Sequence, residues 1–151
     1  MKIWNIKINI QNLIWILLLI LLLFAIIYFI CMNTTIHMNH NNFTTILRDS
    51  HQNMSQYIGK RITTSGYVFR NKDFEKNYFV IARDMLINET QAHIVGFLCS
   101  YDNADDFENN EWVEATGIIT LGDYFGPIPM IKIETIKKIT TPNDIFVNPP
   151  K

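Results

Sequence analysis

The feature that most constrains this chain is an uninterrupted apolar run near its N-terminus. The run begins at Leu13 and ends at Cys31, reads LIWILLLILLLFAIIYFIC, and contains no charged or amide side chain, no Pro and no Gly. A helix of roughly 20 apolar residues crosses the hydrocarbon core of a bilayer, which is about 30 Å thick. Residues 13–31 therefore predict one transmembrane helix, with the lipid bilayer as its partner. Because the run holds no ionisable residue, it is typical of an anchor and not of a pore.

The basic residues around the run predict its orientation. Lys2 and Lys7 precede it, and the next Lys or Arg after it is Arg48. Positive charge stays on the cytoplasmic side of a membrane helix, so we expect residues 1–12 in the cytoplasm and the rest of the chain outside the cell membrane. The alternatives are a cleaved signal peptide and a lipoprotein, but no small-residue pair follows the run and bulky residues precede Cys31. We therefore predict a single-pass, uncleaved signal-anchor.

Composition divides the rest of the chain into three parts. Residues 32–42 are rich in Asn, lack Lys, Arg, Asp and Glu, and are interpreted as a linker. His37 and His40 within it are candidate metal ligands, but no second cluster completes a coordination shell, so no metal site is predicted. Residues 43–141 are long enough for one domain with its own core, and residues 142–151 are interpreted as a C-terminal tail.

The charge balance argues against a nucleic-acid partner. The chain carries 13 Lys or Arg and 14 Asp or Glu, and two of the basic residues lie ahead of the apolar run. The part predicted outside the membrane is therefore acidic overall and shows no basic stripe, whereas nucleic-acid binding depends on positive charge. Cys99 lies in an apolar segment and is interpreted as a buried small hydrophobe, so it forms no disulfide framework with Cys31.

Apolar side chains alternate with polar ones over residues 113–121 and again at Ile131 and Ile133, which indicates strands with one buried face. A short helix over residues 43–49, capped by Asn42, precedes them. Between the third and fourth strands, residues 102–110 predict one or two helical turns. The five predicted strands cover residues 61–70, 78–86, 93–101, 112–121 and 128–139.

This order of elements predicts a mainly β fold, namely a five-stranded OB-like Greek-key barrel with short helices behind one N-terminal transmembrane helix. Gly66 lies in the middle of the long first strand, and Gly117 in the fourth. A residue without Cβ allows a strand to bend and serve both halves of a barrel. The alternative is an open antiparallel sheet with a helix on one side.

Several short motifs resemble one protein family. They are YIGKR at residues 57–61, SGYV at 65–68, AR at 82–83 and EWVEATG at 111–117, together with Arg70. On these pieces the region over residues 55–139 resembles the C-terminal domain of YcgQ-like proteins, described as subunits of a two-protein bacterial permease. The resemblance implies an extracytoplasmic OB-like domain on a membrane anchor, paired with a polytopic permease.

The chain departs from that family in two respects. Members often carry a Cys-Cys pair and a following Asp after the second strand, where this chain has Ile87, Asn88 and Gln91. A metal or redox role that depends on the pair is therefore not carried over. Fuller members also place more than one membrane segment ahead of the domain, whereas this sequence shows one.

Two arginines on predicted strands are candidate contacts for a ligand or partner. Arg70 and Arg83 lie where strands ordinarily carry apolar or short side chains. They are interpreted either as partners of nearby carboxylates, such as Asp73 or Asp84, or as the lining of a groove for an anionic ligand or a partner's acid.

Three aromatic residues are further candidates. Tyr67, Phe69 and Tyr101 are interpreted either as part of the barrel core or rim, or as a stacking platform of the kind OB-folds use for bases and sugars.

No pattern typical of catalysis is present, and no cofactor is predicted. There is no H-E-x-x-H, no phosphate loop and no grouping of Ser, His and acid by spacing. We therefore predict a non-enzymatic protein: an accessory subunit of a membrane permease or, as the alternative, a stand-alone anchored module that binds a small ligand, a metal ion or a cell-surface polymer.

Overall fold

The computed structural model describes residues 10–88 and 90–150, with the side chains of residues 30–33 left aside. The described chain divides into two units, a helical segment that ends at Thr34 and a β-rich domain that begins at Thr35. The helix α1 (Ile10–Asn33) contains the predicted span. Its residues Ile10–Phe29 are long and apolar enough to cross a membrane, and none of them is buried within the protein. Most of the predicted cytoplasmic segment lies outside the described residues.

The second unit is mainly β, as predicted. Its elements are β1 (Ile36–His37), α2 (Phe43–Gln52), α3 (Met54–Tyr57), β2 (Arg61–Phe69), β3 (Tyr78–Asn88), β4 (Gln91–Ser100), β5 (Trp112–Asp123), β6 (Pro127–Lys138) and β7 (Phe146–Val147). Where one or two helical turns are predicted, residues 102–110 form only the three-residue 3-10 turn Ala104–Asp106.

Five of the strands close into a barrel. Strand β2 pairs with β5, β5 with β6, β6 with β4 and β4 with β3, and β3 returns to pair with β2. The β4–β6 pair is parallel, and the other four barrel pairs are antiparallel. This is the Greek-key order of an OB-fold. The predicted fold class is therefore confirmed, and the open-sheet alternative is wrong because β2 and β3 pair.

The barrel interior follows from the alternation of apolar residues. Strand β2 and most of β5 bury every second side chain because successive side chains point to opposite faces, and β4 does so at Phe97 and Cys99. Helix α2 adds Phe43 to the same cluster and lies against β4 and β6. The largest buried side chains on the strands are Phe79, Phe97, Ile62, Ile81, Ile119 and Ile131.

Two glycines allow strands to approach closely. A Cβ at Gly66 would collide with the carbonyl oxygen of Ala82, and one at Gly117 with the carbonyl oxygen of Lys132. The pairing of β5 with β6 also shifts register between Thr116 and Gly117. At both positions a close backbone contact excludes any side chain. This contact is a reason for glycine in addition to the predicted bending of the strands.

Strands β2 and β3 separate after a short pairing, and the gap between them is termed the seam. They pair only over residues 67–69 of β2. Beyond that point β1 pairs with β2 through Ile36 and Ile62, and β7 pairs with β3 through Val147 and Met85. Both ends of the domain are therefore built into the seam.

The predicted linker and tail accordingly belong to the folded domain. The linker segment contains β1, and Met38 within it is buried in the core. The tail segment contains β7, whose Val147 is equally part of the core. Asn42 occupies the N-cap position of α2, but its side chain makes no capping hydrogen bond. Instead its amide oxygen accepts from the Asn39 backbone N–H at 2.7 Å, and its amide nitrogen donates to the His37 carbonyl at 3.0 Å.

Candidate functional site

The outer face of β2, β3 and β4 is the surface on which OB-folds place their ligands, together with the loops that follow the first and fourth barrel strands. Register aligns Phe69 with Val80 and Val80 with Leu98 across this face. Directly paired residues of neighbouring strands share a face. The three apolar side chains therefore form a row, and a depression lies at each side of it.

The first depression, termed the loop cleft, lies between the β2–β3 loop and the β5–β6 hairpin. It encloses about 280 Å³. Its aromatic wall contains Phe74 from the loop, Tyr78 from the start of β3, and Tyr124 from the hairpin. The Phe74 and Tyr124 rings meet edge to face, with centroids 5.6 Å apart and an interplanar angle of 77°. Leu98 and Met130 add apolar surface.

The tip of the β5–β6 hairpin exposes an aromatic ring. Phe125 is 96% exposed, and within the described chain its ring contacts that of Tyr124, with centroids 4.8 Å apart. Its backbone has φ 54°, and Gly126 follows with φ 134°. A left-handed backbone is unfavourable for an L-residue by about 1–2 kcal/mol and is uncommon for a bulky one. The hairpin thus presents an apolar side chain from an unfavourable backbone conformation.

Carboxylates line the loop cleft, and Lys and Arg do not. Asp73 and Glu75 come from the β2–β3 loop and Asp123 from the hairpin. Asp123 accepts a 3.3 Å hydrogen bond from the Gly126 backbone N–H through Oδ1. Lys72 and Lys76 flank the two loop acids in sequence but do not line the cleft. The cleft is therefore acidic and aromatic.

The second depression, termed the Tyr67 groove, lies on the other side of the row and has a volume of about 360 Å³. Tyr67, Phe69 and Trp112 supply its rings, and the Tyr67 and Trp112 centroids lie 5.9 Å apart. The Tyr67 hydroxyl donates a 2.8 Å hydrogen bond to Oδ1 of Asp84. Burial, reinforced by this hydrogen bond and by the Asp84 charge, raises the pKa of Tyr67. The phenol therefore stays protonated and acts as a donor.

Arg83 lies in the seam and lines neither the loop cleft nor the Tyr67 groove. Its side chain is buried and donates from Nε to the Ser65 carbonyl at 2.9 Å, from Nη2 to the Ser65 hydroxyl at 3.0 Å, and from Nη1 to the Asp144 carbonyl at 2.6 Å. The guanidinium also lies between two rings, 4.8 Å from the centroid of Trp112 and 6.0 Å from that of Phe43. Burial lowers its pKa, and the nearby Asp144 charge partly offsets this. Arg83 thus connects β2, β3 and the C-terminal segment.

Arg70 directly follows β2 and, like Arg83, donates hydrogen bonds to backbone carbonyls of the barrel domain. Its Nη2 atom donates to the carbonyl of Ala104 and, at 3.1 Å, to that of Phe107. Tyr101 packs against the ring of Phe107, with centroids 6.1 Å apart. Both side chains hold the 3-10 turn in place.

The structure therefore separates the residues predicted as contacts. Tyr67 and Phe69 share the Tyr67 groove, whereas Arg70, Arg83 and Tyr101 contact other parts of the barrel. In the described chain, neither arginine forms an ion pair with Asp73 or Asp84. Neither the loop cleft nor the contribution of Trp112 was predicted from the sequence, although the aromatic turn Tyr124-Phe125 was a signal for the cleft.

No metal centre is formed by the side chains described. No group of three or more His, Cys, Asp or Glu side chains that could hold a metal occurs among residues 10–88 and 90–150. His40 lies 3.7 Å from the Asp144 carboxylate, and His37 is exposed on β1.

Comparison with known proteins identifies the domain. The model of the DUF1980 C-terminal domain matches residues 29–149, which contain the whole barrel. The chain belongs to this family. The family match extends beyond the resemblance drawn from the motifs at residues 55–139, and it includes both β1 and β7. No curated protein matches the chain.

Solved structures resemble part of this member of the family at low identity and low TM-score. The N-terminal domain of PriB from Thermoanaerobacter tencongensis is 14% identical, with a TM-score of 0.36 over 54% of this chain and 97% of its own. A small single-stranded DNA-binding protein from Streptomyces coelicolor is 9% identical, with a TM-score of 0.34 over 52% and 91%. Asparaginyl-tRNA synthetase from Pyrococcus horikoshii is 17% identical, with a TM-score of 0.36 over 59% and 21%. These likenesses carry no argument about function.

Proposed function

We propose that this chain is a membrane-anchored, non-enzymatic accessory subunit, whose barrel lies outside the cytoplasm and binds a polytopic membrane permease, as in the YcgQ-like proteins that its motifs resemble. The observation that carries this proposal is Phe125. An aromatic ring that is 96% exposed on a left-handed backbone lowers the stability of the isolated domain. Burial against a partner offsets that cost, because apolar surface is then removed from water.

A binding role fits the side chains of the outer face better than catalysis does. The loop cleft is lined by no His, Cys, Ser or Lys. The Tyr67 hydroxyl has a raised pKa, which is unsuited to a general base at neutral pH. Among the side chains that the structure describes, Cys99 carries a free thiol, and this thiol is buried. His, Cys, Ser and Lys are thus absent from the lining of the loop cleft, and the Tyr67 phenol and the Cys99 thiol are held in protonated form.

A stand-alone binding module is the second candidate function, and the Tyr67 groove favours it. Rings of Tyr67, Phe69 and Trp112 stand beside the polar side chains of Asn109 and Thr141. Rings beside hydroxyl and amide groups suit a sugar or another planar polar ligand. Under this proposal the anchor holds the barrel near a cell-surface polymer, and no permease is required.

Co-purification of the full-length tagged protein in mild detergent tests the accessory-subunit proposal. We expect the wild type to recover a polytopic membrane protein and Phe125→Asn to lose it, because the exposed ring is removed while Asn tolerates the left-handed backbone. Ile87→Asn is the matched control, since Ile87 is 45% exposed near the opposite end of β3 from Tyr78. Recovery of no polytopic protein by the wild type, or equal recovery by Phe125→Asn, would contradict the proposal.

The proposed orientation is tested by labelling intact cells. Ser55 is exposed, so a Ser55→Cys variant offers a reactive thiol on the barrel domain. A membrane-impermeant maleimide is expected to label this variant in intact cells, because the positive residues ahead of the helix favour an outside barrel. Labelling only after the membrane is broken would place the barrel in the cytoplasm.

A further inference from the structure

We infer that the loop cleft binds an organic cation, that is, an alkylammonium or guanidinium group. The inference rests on the binding role proposed above and names the ligand chemistry of its site. Three kinds of surface meet in the cleft: aromatic rings, aliphatic side chains and carboxylates, with no Lys or Arg among the lining residues.

The aromatic wall is suited to a cation. The faces of aromatic rings carry negative charge density and attract ammonium and guanidinium groups within about 6 Å of the ring centroid. The Phe74 and Tyr124 rings form a corner with an interplanar angle of 77°. A cation held there contacts ring surface from two directions, while Leu98 and Met130 accept the aliphatic part of the ligand.

The charge of the cleft selects the same ligand. Asp73, Glu75 and Asp123 are exposed and place three carboxylates around an aromatic surface, so each of them attracts a cation at the rim of the cleft. No salt bridge joins these acids to a basic side chain within residues 10–88 and 90–150. The same carboxylates repel phosphates and carboxylates, so the site discriminates against anions.

The size of the cleft restricts the ligand to a small group. A volume of about 280 Å³ holds one charged group with a short alkyl chain and lies just below the range for drug-sized ligand sites. The group belongs either to a free small amine or to a Lys or Arg side chain of a partner protein. Both sources share the chemistry that the cleft recognises.

Calorimetry on the full-length protein in detergent tests the inference. The probes are choline, its uncharged isostere 3,3-dimethylbutan-1-ol, an acetylated and amidated peptide that contains one Lys, and cellobiose as a neutral sugar. We expect choline or the Lys peptide to bind at least tenfold more tightly than the isostere. Tenfold tighter binding of the peptide than of choline indicates a partner's side chain as the source, and the reverse order indicates a free amine.

Two variants locate the binding. Tyr124→Ala removes ring surface from the cleft. The double variant Asp73→Asn, Glu75→Gln removes negative charge with little change of shape. Each variant is expected to weaken cation binding at least tenfold. Tyr67→Phe is the control, because it changes the other groove and should leave the affinity unchanged. Folding of every variant is checked by circular dichroism.

The results that overturn the inference differ from those that overturn the accessory role. Equal binding of choline and its isostere, no binding of either cationic probe, or tighter binding of cellobiose would refute the cation site. Recovery of a permease by the wild type together with any of these results would leave the accessory role intact. Cation binding without recovery of a polytopic partner would support the cleft and contradict the accessory role.

Discussion

The guanidinium of Arg83 stacks on the indole of Trp112, 4.8 Å from the ring centroid, and its three hydrogen bonds all end on Ser65 or Asp144. This places a buried charge where β2 and β3 separate. The planar fork donates to the carbonyls of Ser65 and Asp144 and to the Ser65 hydroxyl, and the indole ring lies over the guanidinium. The arginine is therefore a structural element of the seam.

Replacement of Arg83 by Lys is expected to lower the free energy of unfolding by about 2–4 kcal/mol. A lysine ammonium lacks the planar fork with which Arg83 reaches Ser65 and Asp144 from three nitrogens, and each part-buried acceptor left without a donor costs about 1–3 kcal/mol. Thermal unfolding of the full-length protein in detergent, followed by tryptophan fluorescence, measures the change. Arg61→Lys is the control, because the exposed ion pair of Arg61 with Glu134 is worth about 1 kcal/mol or less. Equal losses in the two variants would refute the structural role of Arg83.

Thr64→Val is expected to stabilise the barrel by about 1 kcal/mol or more. The Thr64 hydroxyl is buried in the barrel and has no hydrogen-bond partner among the described residues. Valine has nearly the same shape and carries no polar atom that needs a partner. Thr63→Val is the matched control: its hydroxyl lies 2.8 Å from that of Thr116, so its loss is expected to destabilise. A melting temperature of Thr64→Val at or below that of the wild type would contradict the prediction.

Phe125→Gly is expected to raise the free energy of unfolding by about 1 kcal/mol, because glycine adopts a left-handed backbone without the side-chain penalty. Phe125→Ala retains most of that penalty and is expected to change stability little. The comparison separates the effect of the backbone from that of the ring, since both variants remove the ring. Equal melting temperatures of the two variants would show that φ 54° at this position carries no cost.

Cys99 is expected to resist alkylation in the folded protein. Complete burial raises its pKa to about 12, so almost no thiolate is present at pH 8. The thiol of the unfolded chain ionises at a lower pH, near 8.5. Between these two values only the unfolded state loses the proton, so stability falls as pH rises from about 8.5 toward 12.

Iodoacetamide labelling measured by peptide mass spectrometry checks this prediction. We expect modification of Cys99 to require denaturant at pH 8. Cys99→Ser provides the control for the pH dependence, because its slope between pH 9 and 11 is expected to be smaller. Rapid labelling of the native protein would show that the thiol is accessible.

The long strands were predictable because their side chains alternate in burial. In β3, Phe79 and Ile81 point inward, and the same period of two places Arg83 on the inner face. That alternation was a readable sign that Arg83 is not a surface ligand contact. The pairing order of the barrel likewise followed from the number of strands and the position of the interruption between the third and fourth.

The two-residue strands β1 and β7 could not be predicted, since two residues define no period. Their pairing depends on the gap between β2 and β3, which is a property of the closed barrel. The loop cleft was equally inaccessible because it forms only when Phe74 and Tyr124, from loops distant in sequence, are brought together. The strand pattern locates each loop, but no local pattern in the sequence places one loop against the other.

The seam also imposes an order on biosynthesis. The chain is made from its N-terminus, so β1 and β2 emerge long before β7. Until Asp144 and Val147 have followed, Arg83 lacks one of its acceptors and β3 has an unpaired edge. The barrel therefore cannot complete the seam until nearly the whole domain has been synthesised. A chaperone or protease that meets the nascent chain would encounter that open edge, and not the finished fold.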